Sequence, residues 1–202
     1  MATTASPYGL LPVKRVDGLP FAGHFRQYKI ASAYGANIYN GSIVQIVSDG
    51  TIEIVTTVGS AGSGFPAGTI GVFVGCQYTD PNLGYLLQRN YWPTGTVASD
   101  AVGFVVDDPN VLFQAQCDEA LTSAAIGQNI YLAAAQSTST GSTMTGKSNT
   151  ALDASTSAST TGLALRVVEF VESETSTAGD AYTDVLVKFN VGSHIMTNAA
   201  GV

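Results

Sequence analysis

Residues 141–148 read GSTMTGKS, which satisfies the phosphate-binding pattern G-x-x-x-x-G-K-S letter for letter. A working loop of this kind wraps backbone amides round a nucleotide's phosphates, and its lysine offsets their charge. It needs a buried strand leading in and a helix N-terminus leading out. Here the lead-in is NIYLAAAQSTST, and the lead-out, NTALDASTSASTTG, has no apolar helical face. Its Ser, Thr, Asn and Asp side chains bond to nearby backbone and compete with helix formation. The sequence therefore predicts no nucleotide site at Lys147, and no other cofactor is implied.

The other groups able to do chemistry are few. Asp107 and Asp108 are an acid pair of the sort used for acid/base or metal work. Adjacent residues on a strand point to opposite faces, however, and Asp-Pro-Asn is ordinary turn chemistry. Cys76 and Cys117 stand alone, without C-x-x-C, so neither a zinc site nor a disulfide framework is expected, only two half-buried thiols. His24 and His194 are the only histidines, and no G-x-S-x-G or H-E-x-x-H occurs. No catalytic or metal-binding residue is assigned, and the chain is read as not an enzyme. Tyr85, Tyr91 and Trp92, near Arg89, are open to two readings: a sugar platform or interface hot spot, or packing beneath a loop.

The elements that would position these groups read as strands. Residues 24–31 alternate as a half-exposed strand. Residues 43–47 and 52–58 are β-branched runs flanking Asp49-Gly50, which predicts a hairpin with a two-residue turn and positive φ at both positions. Residues 69–78 form a buried strand whose internal glycines predict a bulge or a close backbone approach. Further strands are expected at 101–106, 111–117, 163–171 and 183–190, with one short helix near 119–126 ended by Gly127. Several short strands and at most one helix predict an all-β domain, closed or nearly closed into a β-barrel. Residues 136–162, dominated by Ser, Thr, Ala and Gly, read as a long polar loop.

Residues 1–23 differ from the rest. Pro7, Pro12 and Pro20 extend the segment, which carries Tyr8, Leu10, Leu11 and Phe21 together with Lys14 and Arg15. It reads as an extended N-terminal arm on a single β-rich domain, residues 24–202, either packed on that domain or laid on a partner. Charged residues make up only 11% of the chain, against a usual level of about 25%, and the net charge is −7. That balance disfavours nucleic acid as a partner. No apolar run approaches the length of a membrane span, and the N-terminus lacks the features of a signal peptide, so a soluble, reduced, cytoplasmically made chain is expected. Low charge with many apolar residues predicts an apolar patch that a partner covers.

Three stretches carry a family resemblance: SPYGLLPVKRVDGLPFAG, the block GVFVGCQYTDPN…YWPTGTVASDAVGFVVDDPNVLFQAQ, and LRVVEF…DAYTDVLVKFNVGSH. They resemble structural proteins of tailed bacteriophages, in particular the capsid decoration (cement) proteins of marine podovirus-type phages. The order of turn, strand, Asp49-Gly50, strand, loop and GVFVG is also similar to the β-tulip decoration proteins of lambdoid phages. The resemblance implies a virion protein on the capsid exterior that binds the major capsid protein and stabilises the shell, often as a homotrimer. It implies that the arm, with Tyr8, Leu10, Leu11, Lys14, Arg15 and Phe21 as contacts, orders on the capsid. Alternative roles are a head-fibre base, a minor capsid component or a carbohydrate-binding β-module.

Overall fold

The computed structural model describes residues 4–62, 64–173 and 176–202. Strands take up 37% of the chain and no helix reaches seven residues, so the protein is all-β. In chain order the strands are β1 (Leu11–Arg15), β2 (Arg26–Ile30), β3 (Ile38–Tyr39), β4 (Ile43–Ile46), β5 (Thr51–Ile54) and β6 (Thr69–Thr79). There follow β7 (Leu86–Arg89), β8 (Tyr91–Trp92), β9 (Val102–Val106), β10 (Val111–Gln116), β11 (Asn129–Ile130), β12 (Leu165–Phe170) and β13 (Asp184–Phe189).

Five strands close into a barrel in the order β4-β5-β2-β9-β6, because β4 pairs with β6 as well as with β5. Only β2 and β5 run parallel; the other barrel pairings are antiparallel. Alternation along the strands sends Ile30, Val44, Ile52, Ile70, Phe73 and Val105 to a common interior where each is buried. A five-stranded barrel is narrow, so these side chains fill it and leave no channel. The short β3/β8 pair adds Ile38 and Trp92 to the same cluster. As the glycines of β6 predict, its register shifts against β9 between Phe73 and Gly75.

The remaining long strands form an antiparallel sheet, β1-β10-β13-β12-β11. One face presents Phe113, Ala115, Val167, Val185, Val187 and Phe189 to a second core, which also takes in Ile43, Val72 and Val106 from the outside of the barrel. Phe113 meets Phe189 edge-on with ring centroids 5.7 Å apart. Full burial of each such ring is worth roughly 1.5–3 kcal/mol. The chain passes from barrel to sheet through the turn at residues 107–110, where the amide of Val111 donates to the Asp108 carbonyl.

Four expectations differ from what is observed. The helix near 119–126 is a single 3-10 turn, Ser123–Ala125; its N-cap Thr122 makes no side-chain cap bond, and Gly127 follows with φ 82°. At the β4/β5 hairpin, Gly50 has φ 78° but Asp49 does not share the positive φ. The loop is one residue longer than expected: the Gly50 amide donates to Val47 and the Val47 amide to Thr51. Asp49 accepts from the Thr51 amide and hydroxyl at 2.9 and 2.7 Å, a local bond that sets a type I turn with a left-handed glycine.

The third difference is the polar stretch 136–162, which is threaded into the body. Leu152 is fully buried and bridges both Cys117 and Leu132. The Gln136 amide accepts from the Ile43 N–H and donates to the Ile43 and Val55 carbonyls, completing the barrel where strand pairing stops. The fourth is the arm. It is extended, but residues 11–15 pair with β10, so no domain boundary falls at residue 23. The chain then turns at Gly18 and runs back along β1, with Arg15 N–H donating to Leu19 and Phe21 N–H to Val13. Pro20 sits in this outermost pass, bridged to Lys14, and cannot donate to a further strand.

Candidate interaction surface

The phosphate-like motif folds as a tight turn. Gly141 bridges Ser148, the Ser142 amide donates to Lys147, and the Gly146 amide donates to Ser142. The Lys147 amide donates to the Thr145 hydroxyl and the Ser148 amide to Asn40. Four of the loop's amides, those of Ser142, Gly146, Lys147 and Ser148, are thus committed to the protein. Neither flanking strand nor helix is present, and Lys147 projects into solvent. The turn forms one wall of a cleft of ≈ 540 Å³ whose other wall is Pro7, Tyr8, Leu10 and Leu11. The walls are locked together: the Leu10 amide donates to Gly41, and a Cβ at Gly9 (φ 77°) would lie 2.6 Å from the Gly41 carbonyl oxygen.

The six residues expected to contact a partner fall into three environments. Leu10 is 1% exposed and belongs to the second core, so it is a packing residue and not a contact. Phe21 is half-buried against that core. Tyr8 is half-buried and its hydroxyl donates to Asp184 at 3.2 Å. Burial, followed by the Asp184 charge, pushes the Tyr8 phenol upward, and burial likewise raises the Asp184 carboxyl. Lys14 is paired with Glu169, and Arg15 with Asp17 and Asp108 at 3.6 and 3.8 Å. Only Leu11 remains a large exposed apolar group.

Four others stand outside that set of six: Val13 and Leu19 count among the arm's apolar residues in the sequence, while Val16 and Phe25 were missed. Val13, Val16, Leu19 and Phe25, with Leu11, are 37–59% exposed. Phe25 adds a ring contact at 5.0 Å to Phe104 on β9. Alternation along β1 signals Leu11 and Val13, which face outward between half-buried neighbours; Val16, Leu19 and Phe25 follow no such alternation. The basic residues in the same segment do not project free charge. Besides Lys14 and Arg15, Arg26 pairs with Asp107 at 3.1 Å, and Asp107 also accepts from the Tyr28 hydroxyl at 2.8 Å. Burial and then that bond push the Tyr28 phenol up to about 12. Asp107 thus ends β9 as an ion-pair and hydrogen-bond acceptor, beyond the turn role read from Asp-Pro-Asn.

The remaining candidates are dispersed. Both cysteines are free and fully buried, not half-buried, and burial pushes each thiol up to about 12, which removes thiolate chemistry at neutral pH. His194 is buried edge-on to Phe189 and caps the following turn, its Nδ1 accepting from the Met196 amide at 3.2 Å. Trp92 is fully buried against Tyr78, Tyr91 stacks on Tyr39, and only Tyr85 stands exposed, so these three rings form no common platform. Among the described residues no three His, Cys, Asp or Glu side chains group to hold a metal. No protein-family model matches the chain, and neither does any curated protein or solved structure.

Proposed function

We propose that this chain is a non-enzymatic virion structural protein that binds the outside of a phage capsid and stabilises it. The sequence resemblance supplies the partner, the major capsid protein. The observation that carries the reading is the row of exposed apolar side chains on the N-terminal segment, Leu11, Val13, Val16, Leu19 and Phe25. Isolated exposed apolar residues are unremarkable, but five within fifteen residues of chain support a covered surface. Because the β1 backbone is committed to β10 and Pro20 blunts the outer edge, binding runs through side chains and not through strand addition. A homotrimer would present three such rows, so modest individual contacts would combine through effective concentration.

The test is binding to undecorated shells. Removing residues 2–20 would take Leu10 from the core and uncover β10, so it would report on folding. Val16→Ser with Leu19→Ser changes exposed groups only, and spares the Phe25–Phe104 contact. The double variant is expected to keep its melting temperature and oligomeric mass and to lose most of its shell affinity. Unchanged decoration by a folded double variant would sink the proposal.

A further inference from the structure

The outer face of the five-stranded sheet carries a charge arrangement that its own residues leave unbalanced. Arg166 on β12 lies directly opposite Lys188 on β13, and Asn129 on β11 lies on the other side of Arg166. The three stand in one row across three strands. Like charges directly opposite on a sheet destabilise it. The repulsion is notable in a chain with 15 acidic and only 8 basic residues, where one acid at either position would reverse its sign. The other cross-sheet basic residue, Lys14, does have an acidic partner, Glu169. Among the described residues, Arg166 and Lys188 have none.

The surroundings are built and held. Arg166 Nε donates to Asn129 Oδ1 at 3.0 Å, which orients the guanidinium and leaves its Nη groups outside that bond. Asn129 is itself anchored by Nδ2 donating to Thr160, and Asn190 by Nδ2 donating to Leu163 and Leu165. Both asparagines are more than nine-tenths buried. Together with Thr161, Gly162 and Val191, these four side chains line a cavity of ≈ 230 Å³, large enough for a small ionised group. An oriented guanidinium beside an ammonium is the donor set that binds carboxylate, sulfate and phosphate oxygens.

We infer that Arg166 and Lys188, steadied by Asn129 and Asn190, form an oxyanion-binding site on the outer face of this sheet. A bound oxyanion between the two cations relieves the cross-strand repulsion and accepts from both. The inference is independent of the shell-binding reading, since it uses none of the residues of that apolar row.

The test is an NMR titration of the labelled full chain with sodium sulfate, sodium phosphate and triglutamate, each at ionic strength held constant with sodium chloride. Saturable shifts are expected at Arg166 Nε–H and at the side-chain amides of Asn129 and Asn190. Arg166→Gln and Lys188→Gln should each weaken binding at least tenfold. Saturation by sulfate and phosphate alone identifies a free inorganic anion as ligand; saturation by triglutamate identifies a carboxylate on an acidic segment. A second readout separates binding from folding: Lys188→Glu replaces repulsion with attraction, so it should raise the anion-free melting temperature and abolish the titration. Shifts that never saturate, or that persist unchanged in Arg166→Gln and Lys188→Gln, would overturn the inference.

Discussion

The N-terminal segment and the stretch 136–162 have opposite sequence characters and a shared structural fate. The first is apolar and punctuated by proline, and reads as an extended arm, either packed on its own domain or laid on a partner. The second is a run of Ser, Thr, Ala and Gly and reads as solvated loop. Both are knitted into the body: the first contributes Leu10 to the core and β1 to the sheet, the second Leu152 to the core and Gln136 to the barrel. A segment's average hydropathy therefore says little about whether it is ordered. A single large apolar residue, or one amide bonded to main chain, is enough to fasten it.

The largest effects should come from removing those fasteners. Leu10→Ala and Leu152→Ala are each expected to cost about 2–5 kcal/mol, since both side chains are almost wholly buried and leave cavities. Chemical denaturation should show similar losses for the two. If Leu152→Ala costs less than about 1 kcal/mol while Leu10→Ala costs several, the polar stretch is held only loosely and the equivalence fails.

Gln136→Leu comes next. It keeps the volume but removes the partners of the Ile43 amide and of the Val55 carbonyl, while the Ile43 carbonyl keeps the Val55 amide; all are buried at the second core. An unsatisfied buried polar group costs about 1–3 kcal/mol, so a loss near the upper end is expected. Gln136→Glu distinguishes the bonds further, because a carboxylate accepts from Ile43 but cannot donate to the two carbonyls. Faster amide exchange at Ile43 and Val55 in Gln136→Leu would locate the damage.

How far each region was legible follows from the same physics. Eight strands were legible because alternation and β-branching are local signals, and residues 43–58 and 69–78 needed nothing else; β1, β3, β7, β8 and β11, short or proline-bearing, were not read as strands. The all-β barrel class was legible for that reason too. Which strands close the ring was not, since the β4–β6 pairing depends on register across the intervening loop. The turn at Asp49-Gly50 was placed correctly but given the wrong geometry, because Asp49's bond to Thr51 competes with a positive φ. Gly50→Val should still cost about 1–2 kcal/mol, as Gly50 alone carries the left-handed conformation. Leu10 and Leu19 look alike in sequence, and only the direction of the chain's return at Gly18 decides which one faces solvent.

A smaller effect concerns pH. Burial lowers the pKa of His194, while the Ile70 carbonyl and then the Asp107 and Asp108 charges pull it back up. The folded protein thus favours neutral imidazole, and the unfolded chain takes up its proton first, near pH 6.5. The stability associated with neutral His194 is present above that value and is lost as pH falls through it towards the lower folded pKa. His194→Phe, which keeps an aromatic edge towards Phe189, should flatten the decline in melting temperature below about pH 6.5. A slope identical to wild type would assign the decline to other groups.

The smallest effect bears on the comparison most directly. If an apolar residue fastens the N-terminal segment, the ion pairs along it should contribute little. Lys14 with Glu169 and Arg15 with Asp17 and Asp108 are partly exposed, and Arg15 lies 3.6 and 3.8 Å from its partners, longer than a hydrogen-bonded pair. Exposed pairs of this kind contribute about 0–1 kcal/mol and are screened by salt. Lys14→Ala and Arg15→Ala are therefore each expected to cost less than about 0.5 kcal/mol at physiological ionic strength, and less still in 1 M salt. Denaturation midpoints at low and high salt would measure this against Leu10→Ala. Should either variant rival Leu10→Ala, and lose that rivalry in high salt, charge would be what binds the segment to its acidic body, and the apolar row beside it would have to be reread as secondary packing.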